Sequence, residues 1–210
     1  MGANSDIVAD FTGYGVYEYL TGYKQWRYLT PSNASLLAMD GSGDVFAAFP
    51  GYGVWKYTAT HAAWSLFLSE NASALAVNAQ GDLIVSLPSL QRVLEYPSLP
   101  NTNGLFVGTS SNLLGLAIDG FGDATLSYTG YGVQEYHRAI DPNAREQFPT
   151  SATLVAIDGD GNEYADFAGA GVWEFDGFLG WHQLPQPGAG GSLPPGQSPP
   201  LGDAFLLAAG

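Results

Sequence analysis

Short apolar stretches alternate with turns rich in glycine, serine and asparagine along most of the chain. From residue 34 the pattern reads ASLLAMD, GSG, DVFAAF, PGYG, VWKYT and, after a short gap, WSLFL. These runs are rich in β-branched and aromatic residues and are bounded by turn residues, which indicates four short β-strands. No stretch of about ten residues shows a helical period, so the pattern predicts an all-β protein.

The same unit recurs along the chain. A valine that mostly follows a glycine lies at the start of each third strand, and the intervals between these valines are 38, 39, 40 and 39 residues. The five aligned positions are Val16, Val54, Val93, Val133 and Val172. Four strands in about 40 residues are typical of one β-propeller blade, so five repeats predict a five-bladed β-propeller.

The ends of the chain predict how the ring closes. The chain begins at a second strand, DIVADF (6–11), and finishes with a first strand, AFLLAA (204–209). We therefore predict a single domain over 1–210, with repeats of about 38–41 residues, in which the C-terminal strand completes the N-terminal blade. The Pro/Gly-rich stretch QPGAGGSLPPGQSPPLG (186–202) is predicted to be an insertion or linker before the closing strand.

Four nearly identical pentapeptides mark the turn between the second and third strands. They read TGYGV (12–16), PGYGV (50–54), TGYGV (129–133) and AGAGV (168–172). Glycine supplies the positive φ that a tight hairpin turn needs. The third unit reads PSLQRV (88–93) without glycine, so its turn is expected to differ.

The stretch AIDGDGNEYADFAGAGVWEF (156–175) resembles the repeat of NHL-type propellers, in which an apolar strand ending in Asp precedes a glycine turn. The chain is also similar in architecture to five-bladed tachylectin-type lectins. This resemblance implies a propeller that binds a partner through its loops. The resemblance does not identify a particular ligand, because the β-propeller fold occurs in lectins, scaffolds and hydrolases alike.

Three tyrosines are the candidate ligand-binding residues: Tyr14, Tyr52 and Tyr131, each in the centre of a GYG turn. Equivalent turns are expected on one rim of a propeller, where an exposed aromatic ring can stack on a sugar or grip a peptide. The alternative is that these tyrosines pack across the blade edges. The aromatic residues that recur in the third and fourth strands are instead expected to form the core between blades, and those of the outermost fourth strand can be partly exposed. They are Tyr17, Trp55 and Trp173, and Trp26, Trp64 and Trp181.

Aspartates end several of the innermost strands: Asp40, Asp119 and Asp158, with Asn78 in the equivalent place. Two such carboxylates about 5 to 10 Å apart could serve a glycosidase. Asp before Gly also caps its own turn, and we favour that interpretation. The loop from Asp158 to Asp166 is a weak match to a calcium cage, and we expect no metal. His61, His137 and His182 are expected at the surface.

Charge restricts the partners. Twenty acidic residues against six basic ones give a net charge of −14, which disfavours nucleic acid and anionic membranes. The chain has no cysteine, no apolar run of about 18 residues and no signal-peptide pattern at its N-terminus, so localisation stays open, with export slightly favoured.

These observations lead to one functional prediction and two alternatives. We predict a monomeric, non-enzymatic binding module without a cofactor that recognises a glycan or a peptide through its repeated turns. A purely structural repeat domain without a ligand and a glycoside hydrolase using the inner-strand aspartates are the alternatives.

Overall fold

The computed structural model describes residues 6–98, 103–138, 141–158, 161–175 and 180–184. Within these ranges the chain forms β-strands and one short 3-10 turn, Pro88–Leu90, but no α-helix. The strands are β1 (Ile7–Phe11), β2 (Gly15–Leu20), β3 (Gln25–Thr30), β4 (Leu36–Met39), β5 (Val45–Phe49), β6 (Gly53–Thr58), β7 (Ala63–Leu68), β8 (Ala74–Val77), β9 (Leu83–Leu87), β10 (Arg92–Tyr96), β11 (Leu105–Gly108), β12 (Leu113–Ile118), β13 (Ala124–Tyr128), β14 (Gly132–His137), β15 (Asp141–Phe148), β16 (Leu154–Ile157), β17 (Glu163–Phe167), β18 (Gly171–Phe175) and β19 (Trp181–Gln183).

The strands form five antiparallel sheets in chain order. Sheet 1 contains β1 to β3, sheet 2 contains β4 to β7, sheet 3 contains β8 to β11, sheet 4 contains β12 to β15 and sheet 5 contains β16 to β19. This confirms the all-β class and the repeated four-stranded unit. The linker (186–202) and the closing strand (204–209) lie outside the described residues, so the blade count and the ring closure stay predictions.

Contacts divide the chain into two compact units, Met1–Ser111 with sheets 1 to 3 and Asn112–Gly210 with sheets 4 and 5. The second strands β5, β9 and β13 are buried along their whole length. In the first unit Phe46, Val54 and Val85 belong to one apolar cluster, and in the second unit Val133, Ala165 and Phe167 belong to another. Because both faces of these strands are covered, their sequences are nearly continuous apolar runs.

Glycines at the GYG turns have the positive φ that the sequence predicts. In sheet 2, Gly51 and Gly53 have φ values of 81° and 83°. A Cβ on Gly51 would meet open space, whereas one on Gly53 would overlap the carbonyl oxygen of Leu68 in β7. In sheet 3 the turn differs, as expected, because the 3-10 turn ends at Gln91, which takes the left-handed conformation with φ 54°.

Candidate ligand-binding surface

The three candidate tyrosines are exposed side chains at equivalent positions of their own sheets. Tyr14 and Tyr52 are 73% exposed and Tyr131 is 65% exposed. The backbone N–H of each donates to the last residue of the preceding second strand, at 2.7, 2.9 and 3.3 Å respectively. The turn is therefore closed by backbone hydrogen bonds, and the tyrosine ring faces solvent.

Polar side chains from the following connection brace these turns. The Oδ1 atom of Asn33 accepts the N–H of Gly13 at 3.0 Å, and that of Asn71 accepts the N–H of Gly51 at 2.9 Å. In the second unit the hydroxyl of Ser151 accepts the N–H of Gly130 at 3.0 Å. Each tyrosine consequently lies on a hairpin that is tied to the start of the next sheet.

A cleft of about 220 Å³ lies beside Tyr52, between sheets 1 and 2 of the first unit. Its lining consists of Thr30, Ser32, Phe49, Tyr52, Trp55 and Trp64. The indole N–H of Trp55 donates to the carbonyl of Tyr52 at 2.9 Å, and that of Trp64 donates to the carbonyl of Leu29 at 3.1 Å. Both indole donors are satisfied by backbone, so the cleft presents aromatic surface together with two hydroxyl side chains.

The expectation that the repeated aromatic residues are core is only partly right. Trp55, Trp64, Trp173 and Trp181 pack against apolar clusters but stay half-buried, as does Tyr17. Trp26 is 47% exposed. Position explains the exposure of Trp26, Trp64 and Trp181, because each lies on the last strand of its sheet, which has a paired neighbour on one side only. Sequence reasoning therefore missed that Trp55 and Trp64 line a cleft.

The inner-strand aspartates cap turns. The Oδ1 atom of Asp40 accepts the N–H groups of Ser42 and Asp44 at 2.8 and 2.9 Å. Asp119 accepts those of Phe121 and Asp123, both at 2.8 Å. Burial raises the pKa of both carboxyls, although the backbone N–H groups act in the opposite direction.

A second set of aspartates, which the sequence analysis did not single out, ties two turns together in each of sheets 2, 3 and 4. The Oδ1 atoms of Asp44, Asp82 and Asp123 accept the backbone N–H groups of the residues that follow the third strands. These donors are Ala59 at 2.8 Å, Ser98 at 2.6 Å and Arg138 at 2.9 Å. The Asp that ends the DGxGD and NAQGD sequences is the sequence feature from which this second set could have been predicted.

An acidic centre lies between sheets 4 and 5 of the second unit. Glu163 is fully buried, its Oε1 atom accepts the hydroxyl of Thr125 at 2.6 Å, and its Oε2 atom has no hydrogen-bond partner in the described part of the chain. Thr125 lies opposite Glu135 in the β13–β14 register, so Glu135 projects from the same face. Burial, reinforced by the charge of Glu135, raises the pKa of Glu163 to about 8.

His137 joins this centre, so its expected surface position is wrong. Its Nδ1 atom lies 2.9 Å from Asp123 Oδ2 and its Nε2 atom lies 2.8 Å from Glu135 Oε2. Burial alone would lower the pKa of His137, but these two carboxylates outweigh burial and raise the pKa. Sequence spacing gave no signal for this cluster. His61 is exposed, and His182 is half-buried with its Nε2 atom 3.2 Å from Glu174.

The loop considered for calcium is only partly described, since Gly159 and Asp160 lie outside the described residues. The carboxylate of Asp158 accepts the backbone N–H and the side-chain amide of Asn162, both at 2.9 Å, and the hydroxyl of Tyr164 at 3.1 Å. Across the described ranges, no group of three or more acidic or histidine side chains is arranged to hold a metal ion.

No protein-family model and no curated protein matches the chain. Solved structures do match. PorZ, a surface component of the type-IX secretion system of Porphyromonas gingivalis, is 14% identical with a TM-score of 0.56 over 81% of this chain and 31% of PorZ. A gluconolactonase from Xanthomonas campestris is 16% identical with a TM-score of 0.57, covering 83% of this chain and 69% of that one. The structure of YCF48 bound to D1 peptide is 12% identical with a TM-score of 0.55, and the match covers 80% of this chain and 60% of YCF48.

These similarities show the fold, which is β-propeller-like. The chain spans less than a third of PorZ. The comparison with the gluconolactonase contradicts the prediction that the chain is not an enzyme, because a protein described as an enzyme shares this fold. In the part of the chain that the structure describes, no helix has the length and apolar character needed to span a bilayer.

Proposed function

We propose that the protein recognises a glycan or a peptide through the exposed tyrosines of its GYG turns, on a five-bladed propeller closed by residues 204–209. The observation that carries this proposal is the exposure of Tyr14 and Tyr52, both 73%, on hairpins that Asn33 and Asn71 hold in place. Side chains that are this exposed contribute little to packing, and recognition of a ligand would account for their repetition.

Tyrosine suits this function chemically. Its ring offers a flat apolar face with a hydroxyl at the edge, and it loses little conformational freedom when it is bound. Several similar weak sites gain affinity for a multivalent ligand through avidity. The net charge of −14 repels polyanions, which favours neutral or cationic ligands.

The test is binding to glycan and peptide arrays by the protein and by the variant Tyr14→Ala/Tyr52→Ala/Tyr131→Ala. We expect retention of a ligand by the protein and its loss in the variant, with the thermal midpoint nearly unchanged because exposed side chains contribute little stability. Tyr23→Ala is the matched control, since Tyr23 is 78% exposed but lies on the turn between β2 and β3, at the other end of sheet 1. Equal binding by all three proteins would contradict the proposal.

Hydrolysis of a sugar lactone is a second candidate function. It is supported by the cluster of His137 with Asp123 and Glu135, because the imidazole is held by two carboxylates, stays 26% exposed and can exchange a proton with a bound substrate. The likeness to a gluconolactonase is consistent with it. Turnover of D-glucono-1,5-lactone that disappears in His137→Gln, with the fold retained, would favour this function. The glycoside hydrolase alternative is weaker, because Asp40 and Asp119 are engaged in their turns.

A further inference from the structure

Three sheets carry an equivalent group of three aromatic side chains, here called an aromatic trio. The trio consists of the residue that ends the second strand of the repeat, the residue after the aligned valine, and the tryptophan at the start of the last strand. These are Phe11, Tyr17 and Trp26 in sheet 1, Phe49, Trp55 and Trp64 in sheet 2, and Phe167, Trp173 and Trp181 in sheet 5. The trios of sheets 2 and 5 each follow a sheet of the same compact unit, so these two can be compared.

The trio of sheet 5 is filled by a ring from the preceding sheet. The ring centroid of Phe148 lies 4.6 Å from that of Phe167, 6.2 Å from that of Trp173 and 5.7 Å from that of Trp181. Phe148 is half-buried in this position. This trio is therefore part of the packed core of the second unit.

In sheet 2 no ring of the described residues of sheet 1 takes the place of Phe148, although Leu29 of sheet 1 packs against the same apolar cluster. Phe148 lies opposite Val133 in the β14–β15 register, and the residue opposite the equivalent Val16 in the β2–β3 register is Thr30. Threonine is much smaller than phenylalanine, and Thr30 lines the cleft of about 220 Å³ at this place. The turn beside the open trio carries Tyr52, whereas the turn beside the plugged trio carries Ala170.

We infer that the open trio is a subsite for one neutral hexopyranose unit and that Thr30 determines whether the subsite exists. This inference rests on the proposed function and assigns a ligand class to one of its turns. Aromatic rings bind the apolar C–H face of a sugar ring, and the hydroxyls of Thr30 and Ser32 are available to its polar edge. No lining side chain carries a charge, which fits a neutral sugar.

The volume of the cleft favours a single sugar ring over larger ligands. The cleft volume of about 220 Å³ is below the 300–1,000 Å³ that is typical of sites for drug-sized ligands. One sugar ring fits such a volume, with the rest of a glycan extending past Tyr52. A peptide would need hydrogen-bond partners for its backbone N–H and C=O groups along the groove, whereas four of the six lining residues are aromatic.

The test compares Thr30→Phe, which copies the plug of sheet 5, with Thr30→Ser, which keeps the hydroxyl and the open volume. Methyl glycosides of glucose, galactose, mannose and N-acetylglucosamine are the probes, and binding is measured by calorimetry. We expect at least one glycoside to bind the protein and Thr30→Ser with similar affinity, and to bind Thr30→Phe at least about tenfold more weakly. Unchanged affinity in folded Thr30→Phe would overturn the inference.

A second measurement does not depend on how Thr30→Phe folds. The protein contains five tryptophans, so 5-fluorotryptophan labelling gives a small set of ¹⁹F signals that single Trp→Phe variants assign. The bound glycoside should shift the signals of Trp55 and Trp64 and leave those of Trp173 and Trp181 unchanged. Shifts at none of the four, or equal shifts at all of them, would reject the subsite.

The two proposals can fail separately. If the glycosides do not bind while array binding still depends on Tyr14 and Tyr131, the subsite is rejected and the proposed function stands. If array binding survives the triple tyrosine variant while the glycosides still shift Trp55 and Trp64, the function of the turns is rejected and the cleft alone is the site. If a peptide shifts the signals of Trp55 and Trp64 and no glycoside does, the sugar subsite is also rejected.

Discussion

At the scale of single residues, the environment of Glu163 differs strongly from that of an ordinary surface acid. Its side chain is fully buried, its one hydrogen-bond donor among the described residues is the hydroxyl of Thr125, and Glu135 is a nearby like charge. A carboxyl in this situation is more stable when it is protonated. The packing of sheets 4 and 5 therefore holds a proton at neutral pH.

This proton makes stability depend on pH. The pKa of Glu163 rises from 4.5 to about 8 on folding, so the folded state binds the extra proton between these values. The contribution of Glu163 to the free energy of unfolding should be largest below about pH 4.5. It should fall as the pH rises to about 8, by an amount on the order of a few kcal/mol. His137, whose folded pKa is also raised, loses its contribution in the same direction as pH rises.

Urea unfolding followed from pH 5 to pH 9 measures this slope. Glu163→Gln, which stays neutral, should flatten it, whereas Glu70→Gln, the same substitution in the connection between β7 and β8, is the matched control and should not flatten it. An equally steep decline in Glu163→Gln would show that other groups carry the pH dependence.

At the scale of elements, the two glycines of a GYG turn have different roles. Both Gly51 and Gly53 need a positive φ, but only Gly53 lies against the backbone of β7. We expect Gly51→Ala to cost about 1–2 kcal/mol, from the left-handed conformation alone. Gly53→Ala should cost clearly more, because the new Cβ must displace the carbonyl of Leu68.

Chemical unfolding of the two variants checks this difference, and Gly13→Ala is a further control because its Cβ would also meet open space. Equal losses at positions 51 and 53 would mean that the β6–β7 pair moves to accommodate the methyl group. In that case the hairpin would be less rigid than its hydrogen bonds indicate.

The strands and turns were predictable because their signals are local. DVFAAF (44–49) is β5 within one residue, and each GYG turn lies where its glycines predict it. The cleft was not predictable, since its volume depends on Thr30 facing a trio from another sheet. The burial of Glu163 depends in the same way on Thr125, which is 38 residues away in the chain. The sequence pattern within one repeat does not show which side chains of another repeat it contacts.

At the scale of the whole molecule, sheet 1 differs from the other four. It has three strands among the described residues, and the residues at the two ends of β1 are exposed, Ile7 by 48% and Phe11 by 42%. The equivalent residues of sheet 2, Val45 and Phe49, are 0% and 8% exposed. Among the described residues, no first strand pairs with β1 in the way that β4 pairs with β5.

Residues 204–209, AFLLAA, match the ASLLAM of 34–39 that precedes β5, and we predict that they pair with β1. Deleting residues 203–210 should then lower the thermal midpoint markedly and increase the binding of a hydrophobic dye, because the edge and the apolar residues of β1 stay uncovered. Replacing 186–202 with a Gly/Ser linker of the same length should leave the midpoint within a few degrees, since a linker contributes only closure entropy. A midpoint that is insensitive to the deletion would mean that the five sheets are stable without this strand, and the predicted ring closure would be wrong.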